Sequence, residues 1–518
     1  MVTIVWFKRD LRTVDHLPLK RASEMSDSVV PLYVIEPDYW ALPDSSFRHY
    51  SFVCSSLLEL RQRLKVLGND LVVRQGEIID VFTQLHSRLG IGKILAHQET
   101  GNDWTYKRDV EVIKWTQKSG IEFIQTPLNG TIRCLKNRDH WNQLHNNRME
   151  SELVAEPLFI KPLEPPLNSG EIPTCRQNIL FEGKIRGKVQ RGGRESGLKT
   201  LDSFLEDRSG QYRSSISKPE LAVTGCSRLS PHITWGTLSI REIFHRSYST
   251  LDSLKESSDF KSKRRKQGIR AYISRLFWHC HFIQKLEDDP QIEYRCMHPA
   301  FEGMRDVANT QHLQAWLQGQ TGYPIVDACM RSLQEKGWLN FRMRAMVVSF
   351  AAYNLWIDWR VLSPVLAQLF TDYEPGIHYS QLQMQSGVTG INAIRIYNPI
   401  KQSLDQDPEA NFIRTYVPEL SDLPLDLIHT PWAIEPMFQK EYLVRIGRDY
   451  PLPIVEGDSS MKKARLELAK VRKSLNFKSI SREVFIKHGS RKKSSKKKKS
   501  KSPQNDSQSD QMELDFGS

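Results

Sequence analysis

The first 130 residues alternate between short apolar runs and longer stretches that carry one apolar face. The short runs are rich in β-branched residues and cover positions 3–7, 29–34, 71–74 and 93–96. Between them, residues 52–67 have helical periodicity, with one apolar face formed by Leu57, Leu58, Leu60 and Leu64. This alternation predicts a doubly wound α/β domain with a parallel sheet covered on both faces, which we place at residues 1–135.

The pattern changes after this domain. Residues 136–195 contain several prolines and no sustained periodicity, which predicts a linker over the surface. From about residue 196 the strand pattern stops, and helical patterns follow at 268–287, 310–337, 340–356 and 408–416. We therefore predict an all-α domain over 196–485 and a disordered basic tail over 486–518.

Composition excludes several classes of protein. The chain has 518 residues, 39% of them hydrophobic, which is enough for two cores. No run reaches eighteen uncharged apolar residues, so we expect no membrane span, and no secretory signal is evident. The seven scattered cysteines make neither a disulfide framework nor a four-cysteine metal site. We expect a reducing compartment: the cytoplasm of a bacterium, or the nucleus or an organelle of a eukaryote.

The chain is basic, with a formal net charge of +13. From Lys487 onward there are nine Lys or Arg and four Asp or Glu, so the tail contributes +5 and the body +8. This charge is compatible with nucleic-acid binding and equally with a lysine-rich surface on a soluble enzyme.

Two groups of residues could carry chemistry. In the polar turn before a helix, we expect Ser230 at the N-cap and Pro231 at the first helical position. Free N–H groups there, beside Arg228, would favour a phosphate, although a plain structural cap is the simpler interpretation. Aromatic residues also alternate with Arg and His at 275–281 and at 338–344. These aromatic side chains could be part of the hydrophobic core, or they could stack on bases or on a flavin ring.

Five segments together resemble the photolyase/cryptochrome family, and most closely the class I DNA photolyases. They are VWFKRDLR at 5–12, GCSRLSP at 225–231, WLQGQTGYPIVDA at 316–328, GWLNFRMR at 337–344 and IDWR at 357–360. They occur in the family order, and the resemblance covers residues 1 to about 460. It implies a helical domain that binds FAD. In photolyases, the light-excited reduced flavin gives an electron to a pyrimidine dimer flipped out of DNA, and the dimer splits.

The resemblance also implies roles for individual residues. Contacts to FAD are expected from Tyr212, Cys226, Ser227, Arg228, Leu229, Ser230, Tyr272, Arg344, Asp372, Tyr373 and Glu374. Among these, Arg344 and Asp372 resemble the ionic pair beside the flavin ring. Trp278 and Trp338 resemble the walls of the dimer pocket, and Arg342 lies at its rim. His378 corresponds to the position that faces flavin N5, and Trp359 to one member of the tryptophan relay that reduces the flavin.

Several positions depart from the family pattern. Arg275 stands where many dimer photolyases have Glu, Phe341 and His378 where they have Asn, and Leu382 and Asp306 where the relay has Trp. Trp356, Tyr353 or Tyr373 are candidate substitutes in the relay. Residues 338–350 contain no His, which argues against (6-4) repair, although the histidines at 279, 281 and 378 leave it open. Thr105 replaces an acidic antenna contact, so a second chromophore is compatible with the sequence but not identifiable.

Two functions follow from the resemblance. The first is an FAD-dependent DNA photolyase. Such an enzyme is a carbon–carbon lyase that binds UV-damaged DNA and, under blue light, repairs pyrimidine dimers, cyclobutane dimers in particular. The alternative is a cryptochrome-like blue-light photoreceptor without repair activity. The basic tract at 491–501 would add affinity for DNA phosphates. The end of the chain, from Gln511 to Phe516, resembles peptides that dock on the sliding clamp. We expect a monomer.

Overall fold

The computed structural model describes residues 2–26, 28–173, 189–305, 308–439 and 442–490. Its N-terminal part is built on a five-stranded parallel sheet of order β3-β2-β1-β4-β5. The strands are β1 (Val2–Phe7), β2 (Ser28–Ile35), β3 (Val72–Gln75), β4 (Ile91–His97) and β5 (Glu122–Thr126). The structure confirms the four predicted strands within a few residues and adds β5 at the edge. Parallel pairing of β1 with both β2 and β4 makes the first strand the centre of the sheet.

Helices cover both faces of this sheet, as the doubly wound prediction requires. Alternate residues of β1 enter different cores: Val5 and Phe7 pack on one face, Ile4 and Trp6 on the other. The helices of this part are α1 (Leu17–Met25), α2 (Pro37–Trp40), α3 (Phe47–Val66), α4 (Ile78–Leu89) and α5 (Asp103–Lys118). In the segment predicted as a linker, α6 spans Trp141–Glu150, and Ile160 is fully buried against the α/β core.

The second half of the chain is helical and confirms the predicted fold class. Its helices before the long central one are α7 (Arg194–Glu206), α8 (Tyr212–Ser215), α9 (Pro219–Gly225), α10 (Ser230–Thr234) and α11 (Ile240–Ser253). The central helix, α12, runs over Phe260–Asp288. It is followed by α13 (Thr310–Gln318), α14 (Pro324–Lys336), α15 (Phe341–Ser349), a π-helical turn (Phe350–Asn354), α16 (Trp359–Leu369) and α17 (Pro375–Gln385).

The remaining helices close the C-terminal side. They are α18 (Pro399–Gln406), α19 (Asn411–Tyr416), α20 (Leu425–Ile428), α21 (Gly457–Arg472) and α22 (Phe477–His488). Helix α22 ends at His488, so it continues past the boundary between 485 and 486 at which we predict the tail to begin. The basic tract 491–501 and the peptide from Gln511 to Phe516 lie outside the described residues. No helix in the described ranges is long and apolar enough to cross a membrane.

Two local expectations need correction. The pattern at 310–337 forms two helices, because Gly319 takes a left-handed φ of 63° and Pro324 opens the next helix. Ser230 is not an N-cap: it is the first residue of α10, after Leu229, and no side chain caps this helix. The helix begins one residue earlier than expected. The chain turns into it at Arg228, which has a left-handed φ of 61°.

The loop after β1 holds the two domains together. The Leu11 N–H donates to the Trp235 carbonyl at 3.3 Å, and Arg12 Nη1 donates to the Gly236 carbonyl at 3.1 Å. The Trp235 indole in turn donates to the carbonyl of Thr371 at 3.1 Å. One short segment of the helical domain is therefore bonded both to the sheet domain and to the turn that begins at residue 371.

A buried network stiffens the same loop. Asp10 Oδ2 lies 3.0 Å from His16 Nε2 and 2.7 Å from His97 Nδ1, and Asp10 Oδ1 accepts from the Lys8 N–H at 2.7 Å. Burial alone would raise the pKa of Asp10, but the hydrogen bonds and charges of the two histidines hold it well below its usual value. Burial lowers the pKa of His97 to about 3. The loop is thus fixed by an ionised carboxylate that accepts from three donors.

A substitution at Gly236 tests whether the fold needs the close contact between the two domains at this glycine. A Cβ at this position would lie 2.2 Å from the Arg9 carbonyl oxygen, and its φ is +67°. We expect Gly236→Ala to lower the free energy of unfolding by about 1–3 kcal/mol for the forced backbone shift, in addition to the cost of the left-handed φ. Urea denaturation followed by tryptophan fluorescence measures the difference.

Gly90→Ala is the matched control, because Gly90 has a similar φ of +61° and nothing within 4 Å of its would-be Cβ. It should lose only the backbone cost, about 1–2 kcal/mol. Equal losses in the two variants would show that the contact with Arg9 does not constrain the fold.

Candidate functional site

A cavity of about 530 Å³ lies in the helical domain, bordered by α12, α15, α17 and the turn before α10. This volume lies within the usual range for cofactor sites. Most of the residues expected at the site line it: Tyr212, Cys226, Ser227, Arg228, Ser230, Tyr272, Trp278, Trp338, Arg344, Asp372, Tyr373, Glu374 and His378. The fold therefore collects residues from five separate segments of sequence around one space.

Three expected residues are not among those that line the cavity. Leu229 is fully buried behind the wall, where it packs in the same apolar cluster as Tyr212 and Tyr272. Arg342 is half-buried on α15, while its neighbour Phe341 lines the cavity with 41% of its surface exposed. Trp359 is fully buried in the helical core at the start of α16.

One end of the cavity suits an anionic group. The Arg228 guanidinium lies 3.9 Å from the centre of the Trp338 ring, and burial lowers its pKa to about 10. Its Nη1 is buried and has no hydrogen-bond partner among the described residues. Burial also raises the pKa of the Cys226 thiol to about 12, so this cysteine is a protonated thiol and not a nucleophile. A half-buried guanidinium with one buried, unused N–H fits the phosphates of a dinucleotide cofactor.

Two ion pairs define the middle of the cavity. Arg344 Nη2 donates to both carboxylate oxygens of Asp372, at 3.0 and 2.8 Å. Arg9, which comes from the sheet domain, reaches Glu374 Oε2 at 3.0 Å. Burial raises the pKa of Glu374 to about 7, and the charge of Arg9 opposes this rise. The acidic turn 372–374 is therefore held from two sides by arginines.

His378 is a neutral group in this wall. Burial lowers its pKa to about 4, and its Nε2 lies 3.0 Å from the Ser363 carbonyl oxygen, to which it donates. Its ring meets Tyr373 edge-on at 5.0 Å, and the Tyr373 hydroxyl donates to Asp44 Oδ2 at 2.5 Å. Near neutral pH, His378 thus presents an uncharged imidazole whose orientation is set by a backbone carbonyl.

The structure also brings in residues that the sequence interpretation did not assign. His279, Phe282 and Lys285 line the cavity together with Trp278, all from α12. Phe282 and Lys285 follow Trp278 by four and seven positions, so helical spacing from that tryptophan could have found them. Arg275 and Leu382, two of the departures from the family pattern, also line the cavity. Asp306 lies outside the described residues.

Comparison with known proteins decides the family. Residues 3–134 match the family model for DNA photolyase, and residues 272–470 match that for the FAD binding domain of DNA photolyase. The chain belongs to the photolyase/cryptochrome family. FAD is accordingly its cofactor, and the half-buried Arg228 with its buried, unused N–H fits that assignment.

Relatives named as photolyases and relatives named as cryptochromes both resemble this chain. It is 29% identical over 483 residues to a deoxyribodipyrimidine photo-lyase of Alkalihalophilus pseudofirmus, covering 89% of this chain and 96% of that protein. It is 28% identical over 494 residues to a cryptochrome DASH of Gloeobacter violaceus, covering 88% and 93%. Among solved structures, an archaeal photolyase from Sulfolobus tokodaii with two FAD molecules superposes with a TM-score of 0.72 and 27% identity, covering 91% and 100%.

The region expected to contact an antenna chromophore has only a small cavity. Thr105 is buried in the first turn of α5, where its N–H donates to the N-cap Asn102. Nearby, Arg108 pairs with Glu36 at 2.8 Å and with Glu99 at 2.5 Å. The cavity that these three charged residues border measures about 20 Å³, too little for a flavin-sized ligand. These residues do not fit a second chromophore in that cavity.

Asp372→Asn tests the ion pair at the cofactor. Removal of Asp372's charge leaves the half-buried guanidinium of Arg344 unbalanced beside the cavity, so we expect the dissociation constant of FAD to rise at least about tenfold. Titration of FAD into the apoprotein, followed by flavin fluorescence, measures the change.

Glu419→Gln is the control for Asp372→Asn. It breaks a second bidentate pair, in which Arg331 donates to Glu419 at 2.9 and 2.7 Å, away from the cavity. We expect this variant to keep the wild-type affinity for FAD. If the two variants bind FAD equally well and melt at the same temperature, Asp372 has no specific role at the cofactor.

Proposed function

We propose that this protein is a light-driven DNA photolyase that repairs pyrimidine dimers, of the cyclobutane type. The observation that supports this most is the continuity of one cavity. The same space is lined by the Arg344–Asp372 pair, expected at the flavin, and by Trp278, expected at the substrate. A dimer against Trp278 would thus share a single cavity with the cofactor.

Reduced FAD, when bound and excited by light, would supply the electron that splits the dimer. The chain's own residues bind, orient and exclude water. Arg344 and Asp372 hold the flavin position through a fixed ion pair, and neutral His378 adds no competing charge. Trp278 offers a large apolar face on which a flipped base can stack. The net charge of +13 favours association with DNA phosphates.

A cryptochrome-like photoreceptor is the second candidate, and one observation favours it. Leu382, which takes the flavin-proximal place of the tryptophan relay, is an aliphatic part of the cavity wall. Trp359, another relay position, is fully buried with the Arg360 guanidinium 4.7 Å from its ring centre. An interrupted relay would slow photoreduction of the flavin without changing the substrate chamber, so the two functions can be separated by supplying reduced flavin.

Repair should be measured on an oligonucleotide with one cyclobutane thymine dimer, with chemically pre-reduced protein under blue light and a dark control. We expect light-dependent restoration of the two thymines, since pre-reduction bypasses the relay. Absence of repair on double and single strands, at full FAD loading, would contradict the photolyase proposal and favour the photoreceptor.

Trp278→Ala tests the substrate wall. Because stacking of a base on an aromatic side chain contributes about 1–3 kcal/mol, affinity for the dimer oligonucleotide should fall about 5- to 150-fold. Fluorescence anisotropy of the labelled oligonucleotide measures binding. Tyr248→Ala removes an exposed aromatic from α11 and should bind like the wild type. Equal affinities for all three proteins would exclude Trp278 as a stacking surface.

The tail peptide from Gln511 to Phe516 stays part of this proposal as a tether to the sliding clamp. Its support is the sequence pattern of a Gln and two apolar anchors near the end of the chain.

A further inference from the structure

The cavity continues along α12 well beyond the residues expected at FAD. Tyr272 and Lys285 both line it and are thirteen positions apart on this helix. At a rise of about 1.5 Å per residue, they are separated by roughly 20 Å along the axis. Trp278 and Phe282 lie between them. The end at Lys285 is thus distant from the Arg228 end and lies past the proposed substrate wall.

Lys285 is a buried amine without a counter-ion. Its residue is 5% exposed, and its Nζ lies 5.1 Å from the centre of the Phe282 ring. Within the described part of the chain it makes no hydrogen bond or ion pair. The carboxylates nearest in sequence are engaged elsewhere: Glu287 with Arg133 at 3.1 Å, Asp288 with Arg138 at 3.1 Å and Asp289 with Lys487 at 2.7 Å.

A second donor lines the cavity beside it. Arg138 Nη2 donates to His281 Nδ1 at 2.8 Å, so the proton of this neutral imidazole is carried by Nε2. Burial holds the pKa of His281 well below its usual value, and the charges of Lys285 and Arg138 lower it further. His281 therefore acts as a neutral N–H donor beside the cationic Arg138 and Lys285.

We propose that Lys285 and His281 form an oxyanion site that takes a phosphate group. An ammonium and an imidazole N–H, both lining one cavity and lacking an acidic partner, suit the oxygens of a phosphate. The origin of this phosphate rests on the proposed function: in a photolyase, it would be a backbone phosphate of the DNA strand that carries the lesion. Free phosphate has the same chemistry, and the experiment separates the two.

Binding at this site should depend on pH. Burial, together with the charge of Arg138, lowers the pKa of Lys285 to about 7. A bound anion favours the charged amine and so raises this pKa. The protein must take up a proton to bind above pH 7, and affinity should fall up to tenfold per pH unit there while staying constant below it. His281 and His488, whose pKa values are lowered by burial, stay neutral throughout this range.

The test uses the FAD-loaded full chain and inorganic phosphate, titrated by calorimetry at pH 6.5 and 8.5. We expect the wild type to bind at least tenfold more tightly at pH 6.5. Lys285→Met, which keeps the length of the side chain and removes the charge, should lose this binding. Lys285→Arg should bind at both pH values and keep only the pH dependence that comes from the titration of phosphate itself. Lys263→Met removes an exposed lysine from the same helix and should behave as the wild type.

A second arm uses dimer-containing oligonucleotides in which a single phosphate near the lesion is replaced by a neutral methylphosphonate. For a DNA source, one such replacement should weaken binding by the wild type at least about tenfold and leave Lys285→Met unaffected. Phosphate binding that needs Lys285, without any effect of methylphosphonate, assigns the site to free phosphate.

The outcomes separate the two proposals. Lesion DNA and phosphate bound equally by the wild type and by Lys285→Met would overturn the oxyanion site and leave the photolyase proposal standing. Absence of lesion-DNA binding by all variants, with phosphate binding that needs Lys285, would count against the photolyase and retain the site.

Discussion

The arrangement of the active cavity depends on Arg9, a residue of the sheet domain. Its Nε donates to the Thr234 carbonyl at 3.1 Å, and its Nη2 reaches the Tyr373 carbonyl and Glu374 Oε2, both at 3.0 Å. Burial acts to lower the pKa of Arg9, but the charge of Glu374 and its other neighbours raise it above its usual value. One buried guanidinium thus joins the loop after β1, α10 and the acidic turn 372–374.

This contact gives the sheet domain a part in shaping a cavity that residues of the helical domain line. The turn 372–374 supplies Asp372 to Arg344 only if its backbone is held, and Arg9 and Trp235 hold it through the carbonyls of Tyr373 and Thr371. The sheet domain therefore shapes the cavity without lining it. Its role at the cavity is positional, since geometry decides how well a preorganised cavity works.

Charge is distributed unevenly in the cavity. In the middle, Arg344 is matched by Asp372 and Arg9 by Glu374. At the ends, the Nη1 of Arg228 has no hydrogen-bond partner in the described part of the protein, and in that same part the amine of Lys285 makes no ion pair and lies 5.1 Å from the centre of the Phe282 ring. A cation without a counter-ion is costly in a buried place, so both groups favour an anionic ligand. The paired centre suits the flavin ring, and the ends suit phosphates.

Sequence by itself determined the elements and the class of fold. Strand and helix periodicity placed four strands and α12, because these depend on neighbours within a few positions. Family motifs located most of the cavity wall. The split of 310–337 follows from Gly319 and Pro324, which are visible in the sequence. The tertiary structure alone decided the partners of Arg9, which lie 225 to 365 residues away. It also decided that Lys285 is unpaired, because whether a charge has a partner depends on which distant segments the fold brings beside it.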